Sequence, residues 1–215
     1  MRLKRLKEPT EICKICFDSF KPKSLRTITS MYYPICTNCY KKMKPKFYHH
    51  KINNVKVLSI YDYDDEMKSL IYILKGCYDI ELSKAFLRYF AKFLHFLYLG
   101  YYMIPIPSNE VDDKKREFNH VVEIFKDLNL PMLKIMYKNK PYKQSDYKAK
   151  DRHKISKVLE LSDIEIIKNK KILLVDDIFT TGSTLKAAID LVRKGKPRKI
   201  KAITIAMTRG HSDLL

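Results

Sequence analysis

Apolar and polar positions along the chain change their pattern near residue 55. Residues 1–50 show little sustained periodicity, so we expect this segment to need more than a hydrophobic core to fold. From residue 55 onward, short apolar runs alternate with stretches whose apolar positions follow a helical spacing. Strands that alternate with helices indicate a parallel sheet with helices on both faces. The sequence thus predicts a small module over 1–50 and an α/β domain over 51–215.

The individual elements follow from the same pattern. Strands are predicted at 55–61, 101–107, 133–137, 171–175 and 200–207. Helices are predicted at 64–74, 81–99, 118–128 and 183–194. The core-facing stripe of the second helix should consist of Leu82, Phe86, Tyr89, Phe90, Phe93 and Leu97. The polar, basic stretch 138–157 predicts a mobile loop.

Composition and charge narrow the classes of protein. Apolar residues make up 46% of the chain, which excludes a wholly disordered chain. Lys and Arg total 43 against 24 Asp and Glu, and the resulting charge of +19 favours anionic partners: nucleic acid, phosphorylated small molecules or acidic lipids. Charged residues interrupt the most apolar window, 82–99, so we expect no membrane span. Because no secretory signal is visible, we expect a cytoplasmic protein.

Four of the five cysteines form two CxxC pairs, Cys13 with Cys16 and Cys36 with Cys39, and 19 residues separate the pairs. Two residues between cysteines let both sulfurs reach one ion at about 2.3 Å, and two such pairs complete a tetrahedral shell. The spacing predicts a structural zinc site of the zinc-ribbon type, with no open position for catalysis. Free or redox-active thiols are the alternative, but neither pair follows a strand in a βαβ unit.

Basic residues and two histidines follow the second cysteine pair. The lysines are Lys41, Lys42, Lys44 and Lys46. They fit a nucleic-acid backbone, although a run of charges is more often a solvated face. His49 and His50 are expected to be solvated linker residues, because four sulfurs already satisfy an ion. Three binding partners stay open for the zinc module: nucleic acid, a partner protein or the second domain.

The most informative segment is ILLVDDIFTTGST, residues 172–184. An apolar strand delivers Asp176 and Asp177 to its C-terminal end, where ligands bind in open α/β sheets. Gly182 permits a turn that aims backbone N–H groups at an anion, and the next helix adds donors at its N-terminus. Helix capping alone is the ordinary alternative, but it needs one short polar residue, whereas the loop supplies four: Thr180, Thr181, Ser183 and Thr184. The segment predicts that the ligand is a phosphorylated sugar. The two carboxylates would contact its ribose hydroxyls, directly or through Mg²⁺.

The stretch VDDIFTTGST (175–184) resembles the signature of type I phosphoribosyltransferases, which bind phosphoribosyl pyrophosphate (PRPP). The chain from about Cys13 to Arg209 is similar to the ComF/GntX-type members, which join a four-cysteine zinc module to a phosphoribosyltransferase domain. The matching stretches are YDYDDEMKSLIYILK (61–75), IPIP (104–107), REFNH (116–120), and Gln144 with Arg152. The resemblance implies the α/β sheet of that family behind a zinc module.

The resemblance also implies roles for the matching residues. Catalysis would depend on Asp176, Asp177 and Arg152, the last on a mobile loop that closes over the leaving group. The PRPP-binding set would be Asp176, Asp177, Thr180, Thr181, Gly182, Ser183, Thr184, Pro107, Ser108 and Arg116. Within it, the carboxylates hold the ribose, the Thr-Gly loop cradles the 5′-phosphate, and the turn after the prolines faces the pyrophosphate. Mg²⁺ would share the charge of the leaving group.

The sequence departs from this family at several positions. Glu117 stands where the family has glycine, His120 replaces a glutamine, Pro141 a threonine and Ile155 an asparagine. The ribose-phosphate motif is intact, while the pyrophosphate and acceptor sides are altered. The sequence does not identify the acceptor.

Three functions fit these observations. The first is Mg-dependent transfer of phosphoribose to an unknown acceptor. The second is a non-catalytic PRPP or nucleotide sensor that binds single-stranded DNA, since ComF-type proteins are associated with natural competence and DNA uptake beside a helicase partner. The third is a scaffold with a vestigial pocket, which the intact aspartates and Thr-Gly loop argue against.

Overall fold

The computed structural model of the protein describes residues 10–21, 34–108, 110–138 and 159–208. In chain order, its strands are β1 (Glu11–Ile12), β2 (Ser19–Phe20), β3 (Tyr48–Ile52), β4 (Val55–Asp62), β5 (Tyr101–Pro105), β6 (Met136–Lys138), β7 (Leu159–Leu161), β8 (Lys171–Phe179) and β9 (Lys199–Met207). Its α-helices are α1 (Thr37–Met43), α2 (Asp65–Gly76), α3 (Ser83–Leu87), α4 (Ala91–Leu97), α5 (Glu110–Arg116), α6 (His120–Phe125) and α7 (Ser183–Lys194). The predicted loop, with Gln144, Arg152 and Ile155, lies outside the described ranges apart from Lys138.

The central sheet has five strands in the order β3-β4-β9-β8-β5. β3 runs antiparallel to β4, and every other neighbouring pair is parallel. The predicted α/β class with a parallel sheet is therefore confirmed. α7 connects β8 to β9 and has the bounds that the sequence predicts.

The strand β8 is longer than the predicted 171–175. It continues through both aspartates to Phe179, because Asp176 and Ile178 still pair with β9 at Thr204 and Ala206. The two carboxylates therefore project from the last residues of a paired strand, and not from a loop behind it. Their backbone is held by the sheet, which fixes the directions of the side chains.

The prediction of one continuous helix over 81–99 is wrong. A 3₁₀ turn, α3 and α4 replace it. The Phe86 carbonyl accepts a hydrogen bond from the Tyr61 hydroxyl at 2.8 Å, and the Phe90 N–H donates to the Leu87 carbonyl at 2.8 Å. The Tyr61 hydroxyl thus occupies the carbonyl that Phe90 would need to continue the helix, which ends α3 at this point.

The break also changes which residues face the core. Leu82 and Phe86 are buried as predicted, whereas Phe93 and Leu97 are 63% and 42% exposed. α4 therefore presents a different face to the core from the one that a continuous helix would present. One further prediction shifts: the strand predicted at 133–137 becomes β6 at 136–138, which pairs with β7 outside the central sheet.

Buried residues form two hydrophobic clusters, which take alternate residues of β8. Leu173 and Val175 belong to the first cluster, while Ile172 and Leu174 belong to the second. Successive strand residues point to opposite faces, so the clusters lie on the two sides of the sheet. Within the described ranges, no helix is both long and apolar enough to cross a membrane.

The cysteine-bearing segment packs on the first cluster. Cys13, Cys36 and Cys39 belong to it. The Tyr89 hydroxyl donates a hydrogen bond to the Ile35 carbonyl at 2.8 Å. The segment over 34–43 thus shares its core with the α/β sheet, and the domain boundary at residue 50 stays a prediction.

The expectation of a linker at His49 and His50 is wrong. Both residues lie in β3, where they pair with Leu58 and Val57 of β4. The His50 ring also lies 4.6 Å from the ring of Phe179 at the end of β8. The sheet therefore begins before residue 50.

A buried hydrogen bond between side chains joins the first and last strands of the parallel set. Ser59 and Thr204 are 0% and 1% exposed, and their hydroxyl oxygens lie 2.6 Å apart. We expect Thr204→Val to lower the free energy of unfolding by about 1–3 kcal/mol, because the Ser59 hydroxyl loses its partner in a dry core. Chemical denaturation measures this loss.

The matched control is the double variant Ser59→Ala/Thr204→Val, which removes both hydroxyls and leaves no unpaired group. We expect it to recover most of the lost stability. Equal losses for the single and the double variant would contradict the role of this hydrogen bond.

Candidate functional site

The four cysteines of the N-terminal segment form one cluster. Their sulfur atoms all lie within 4.8 Å of one another. Cys13 lies next to β1, while Cys36 caps α1 and Cys39 lies in its first turn. The Cys36 N–H donates to the Cys13 Sγ at 3.3 Å, and the Cys39 N–H donates to the Cys36 Sγ at 3.5 Å. The clustering that the spacing predicts is confirmed.

The electrostatics of the cluster suit a cation. Burial opposes ionisation of Cys13, but backbone N–H groups of Cys16, Cys36 and Ile15 lower its pKa to about 7. Burial and the neighbouring sulfurs raise the pKa of Cys39, so the full set of thiolates needs a bound cation. Four sulfurs at this spacing fit a tetrahedral Zn²⁺, and the identity of the ion stays a prediction.

At the C-terminal end of β8, Asp177 is held by two basic side chains. Its Oδ2 lies 3.0 Å from the Nε2 of His120 and forms an ion pair with Lys75, which lies in the last turn of α2. Burial opposes ionisation of Asp177, but these two partners outweigh it and hold its pKa well below the usual range. Asp177 is therefore a carboxylate in the folded protein.

Asp176 and His120, in contrast, both favour their neutral forms. Burial, together with the charge of Asp177, raises the pKa of Asp176 well above its usual range. Burial lowers the pKa of His120, although Asp177 partly opposes this effect. A neutral His120 donates from Nε2 to the carboxylate, and its Nδ1 is buried without a hydrogen bond to any residue in the described ranges. The centre thus resists the addition of a second negative charge unless a ligand brings a cation.

The Thr-Gly loop connects β8 to α7. Gly182 has φ +71° and is the N-cap of α7, with no side-chain capping bond. The hydroxyls of Thr181 and Ser183 lie 2.8 Å apart, and both residues are exposed. The Ser183 N–H makes a long hydrogen bond to the Thr181 hydroxyl, at 3.4 Å. The first turn of a helix offers further N–H donors to an anion, and binding of a phosphate by this loop stays a prediction.

A third group of residues lies after β5. Asp113 of α5 accepts hydrogen bonds from the Ser108 hydroxyl at 2.5 Å and 2.6 Å, from Arg116 at 2.5 Å and from Asn119 at 2.7 Å. Burial opposes ionisation of Asp113, but these three donors lower its pKa. Asp113 thus ties the turn after β5 to the start of α6.

A cavity of about 310 Å³ brings most of the predicted site residues together. Its lining includes Lys75, Pro107, Ser108, Arg116, His120, Lys138, Asp176, Asp177 and Thr184. A smaller hollow, lined by Thr180, Gly182, Ser183 and again Asp176 and Thr184, opens over the loop. Of the remaining predicted residues, Thr181 belongs to the same loop, and Arg152 lies outside the described ranges.

Lys75, Asp113 and Lys138 are site residues to which the sequence analysis gives no role. Lys75 lies in one of the stretches that carry the family resemblance, but its contact with residue 177 depends on the packing of α2 against the sheet. Asp113 and Arg116 have the i, i+3 spacing of a helical ion pair, which is the available signal for that contact. Glu117 has φ +63°, so this position adopts the left-handed conformation that glycine favours.

A second, larger cavity of about 820 Å³ lies along α2. It shares Lys75, Arg116 and Ile178 with the first cavity. Its other lining residues include Tyr63, Asp65, Lys68, Ser69, Tyr72 and Tyr78. The carboxylate centre therefore adjoins an open cleft with aromatic and basic walls.

Comparison with known proteins found similarity to one class of domain. Residues 118–214 match the family model described as phosphoribosyl transferase domain. The bifunctional protein pyrR of Enterococcus faecalis is 43% identical over 58 residues, which are 26% of this chain and 32% of that protein. The PyrR protein of Clostridium novyi is 47% identical over 53 residues, 24% of this chain and 29% of that protein. The chain thus spans about a third of the length of these curated relatives.

Solved structures of phosphoribosyltransferases were also found. A hypoxanthine phosphoribosyltransferase from Staphylococcus aureus has a TM-score of 0.35 and 13% identity, over 79% of this chain and 71% of that one. A purine phosphoribosyltransferase from Pyrococcus horikoshii has a TM-score of 0.36 and 18% identity, over 58% and 73%.

The family match covers less than half of the chain and lies in its C-terminal part. It supports a phosphoribosyltransferase-type domain, and it includes both aspartates and the Thr-Gly loop. The ComF/GntX-type resemblance of the whole chain stays a prediction.

The conformation of Gly182 can be tested by substitution. We expect Gly182→Ala to cost about 1–2 kcal/mol of stability for its positive φ. The added Cβ would also lie 2.7 Å from the ring of Phe179 and 3.1 Å from Ile52, which forces the loop to move. PRPP affinity, measured by calorimetry, should then fall at least about tenfold.

Gly100→Ala is the matched control, because Gly100 has φ +80° with no atom within 4 Å of the added Cβ. It should show the backbone cost alone, with unchanged PRPP affinity. An equal effect of the two variants on binding would contradict the assignment of the loop.

The cysteine cluster predicts a zinc content that one thiol can abolish. We expect the purified protein to carry one zinc ion per chain and Cys39→Ser to lose it, since three thiolates hold zinc more weakly than four. Elemental analysis after dialysis measures the zinc, and Cys77→Ser is the control because Cys77 is exposed and outside the cluster. Equal zinc loss in both variants, or a wild-type protein without zinc, would argue against the site.

Proposed function

We propose that the protein binds PRPP and transfers its phosphoribosyl group to an acceptor with release of pyrophosphate. The observation that carries this proposal is the cavity at the end of β8 together with the adjoining hollow over the Thr-Gly loop, where β8, that loop and the turn after β5 bring carboxylates, hydroxyls and cations. A sugar with a phosphate at one end and a pyrophosphate at the other matches that arrangement. The phosphoribosyl transferase domain match over 118–214 supports the same class of ligand.

Each part of PRPP has a matching group in the cavity. The 5′-phosphate lies at residues 180–184, against the N–H groups that begin α7. The ribose hydroxyls lie on Asp176 and Asp177. The pyrophosphate faces Ser108 and Arg116, which Asp113 already holds in place. The family resemblance assigns Arg152 to the leaving group, and this residue lies outside the described ranges.

The donor set also fits a magnesium ion brought in with the ligand. Carboxylate oxygens and phosphate oxygens are the ligands that Mg²⁺ prefers, and Asp176 and Asp177 supply the protein's share. When bound, the ion neutralises part of the charge on the pyrophosphate. Asp176 gains most from it, since its ionisation is opposed by burial and by the neighbouring carboxylate.

The chemistry then depends on positioning and charge compensation. The acceptor attacks C1 of the ribose, the bond from C1 to the pyrophosphate oxygen breaks, and both bonding electrons leave with the pyrophosphate. Negative charge therefore develops on the leaving pyrophosphate. The basic side chains that line the cavity and can compensate this charge are Lys75, Arg116 and Lys138. No side chain acts as a covalent nucleophile. The cleft along α2 opens beside the same centre at Ile178 and gives the acceptor an approach to C1.

The finer assignment follows the resemblance to ComF/GntX-type proteins. We propose a ComF-type protein linked to natural competence and DNA uptake, with a structural zinc ion and a cytoplasmic location. A non-catalytic sensor of PRPP or nucleotides, which binds single-stranded DNA beside a helicase, is the second candidate. The ion pair of Asp177 with Lys75 favours it, because this contact occupies a carboxylate that catalysis would need.

Calorimetric titration with PRPP, with and without Mg²⁺, tests the site. We expect Mg-dependent binding, and we expect Asp176→Asn/Asp177→Asn to weaken it about 100-fold, because each removed charge contacts the ligand in a largely buried site. Asp190→Asn is the control, since Asp190 is an exposed acid of α7 that pairs with Arg193. Its PRPP affinity should equal that of the wild type.

Circular dichroism establishes that the double variant is folded. No PRPP binding by the folded wild type would overturn the proposal. Pyrophosphate release in the presence of candidate acceptors separates the two candidates: a transferase releases it, and a sensor binds PRPP without turnover.

A further inference from the structure

Four lysines lie at the amino-terminal ends of three parallel strands, at the opposite end of the sheet from Asp176 and Asp177. Lys56 begins β4 together with Val55, Lys171 begins β8, and Lys199 and Lys201 lie in the first three residues of β9. In the strand register, Lys56 is the partner of Lys201, and Lys171 is the partner of Lys199. Partners in a parallel pair share a face, and so do residues two apart in one strand. All four therefore lie on one face, and we call them the four-lysine surface.

This arrangement is electrostatically unfavourable in the absence of a partner. Like charges on directly opposite positions of neighbouring strands destabilise a sheet. Burial lowers the pKa of Lys201, and the charges of Lys199, Lys56 and Lys171 lower it further. In the described part of the chain, no carboxylate forms a salt bridge with any of the four. Their mutual repulsion is thus uncompensated within that part of the chain.

Aromatic rings hold two of these side chains in place. The Nζ of Lys201 lies 5.1 Å from the ring centroid of Tyr98 and 5.4 Å from that of Tyr101. The Nζ of Lys171 lies 5.8 Å from the centroid of Tyr101. Both rings are buried beneath the lysines, at 4% and 5% exposure. The rings thus orient the ammonium groups but are not available for a ligand to stack on.

The positive charge continues beside the four-lysine surface. A groove of about 400 Å³ is lined by Lys56, Lys199 and Lys201 together with basic residues that follow α7. Of these, Lys196 and Arg198 are exposed. Among the described residues, no acidic side chain lines this groove. All of its charged lining residues in that part of the chain are basic, which favours an anion.

We propose that the four-lysine surface binds the phosphate backbone of a single-stranded nucleic acid. Neighbouring strands are about 4.8 Å apart and residues two apart in a strand about 6.6 Å, so the lysines present several cations to successive phosphates of one polymer. The surface crosses only three strands, about 10 Å, which suits one backbone better than the two of a duplex. Lysine binds phosphate as a point charge, and the two tyrosine rings beneath the lysines are buried, so little base preference is expected from the described part of this surface.

This site is separate from the phosphoribose cavity. It lies at the amino ends of β4, β8 and β9, whereas Asp176 and Asp177 lie at the carboxyl end of β8. It is also separate from the lysine run that follows the cysteine cluster. The proposal therefore holds whether or not the protein transfers phosphoribose.

The test measures fluorescence anisotropy of a labelled 20-nucleotide DNA strand and of an RNA strand of the same sequence, from about 50 to 300 mM salt. The variant Lys56→Gln/Lys171→Gln/Lys199→Gln/Lys201→Gln removes the surface. Each phosphate contact on a single strand contributes about 0.7 to the slope of log affinity against log salt. We expect the variant to lower that slope by about 3 and the affinity by about 100-fold or more at 100 mM salt.

The matched control is Lys41→Gln/Lys42→Gln/Lys44→Gln/Lys46→Gln, which removes the same number of charges next to the cysteine cluster. We expect it to keep most of the affinity. Thermal unfolding establishes that the surface variant is folded: relief of repulsion between paired positions raises its midpoint, and loss of the contacts with Tyr98 and Tyr101 lowers it. PRPP affinity should stay at the wild-type value, which separates this test from that of the phosphoribose site.

Three outcomes would overturn the proposal. They are absence of binding of single-stranded DNA and RNA by the wild type, equal losses in the two quadruple variants, and tighter binding of a duplex than of either single-stranded probe. Similar affinity for DNA and RNA supports recognition of the backbone. A preference for one of them indicates an added contact at the sugar and leaves the surface assigned.

Discussion

The candidate site depends on the contacts that the buried Asp177 carboxylate makes with Lys75 and His120. This carboxylate belongs to β8, but it is ionised only because α2 supplies Lys75 and α6 supplies His120. A charge in this position without partners would cost far more than the sheet pairing around it provides. The ion pair therefore joins three elements that are distant in the sequence, and it fixes the spacing between the cavity and the cleft along α2.

The sheet also separates opposite charges along its strands. Its carboxyl ends carry Asp176 and Asp177 with hydroxyls and a few cations, whereas its amino ends carry lysines in register. A parallel sheet makes this possible because all like ends of the strands meet at one edge. The same sheet thus places a small polar cavity at the carboxyl ends of its strands and a broad, positively charged surface at their amino ends.

Sequence pattern predicted the parallel sheet, α7, the cysteine cluster and the neighbourhood of the Thr-Gly loop, because each rests on local spacing. It failed at 81–99, where the Tyr61 hydroxyl donates a hydrogen bond to the Phe86 carbonyl at the point where α3 ends. It also could not foresee the four-lysine surface, since Lys56 meets Lys201 only through strand register. Partners distant in sequence decide these features, and periodicity contains no information about them.

The central place of β9 has a consequence for synthesis on the ribosome. β9 lies between β4 and β8, yet it is the last strand of the sheet in chain order. Until residue 207 has emerged, β4 and β8 expose edges that have no neighbour, and the hydroxyl of Ser59 has no partner. The sheet therefore stays incomplete during most of the synthesis of the chain. It is completed only when β9 inserts between β4 and β8, late in synthesis.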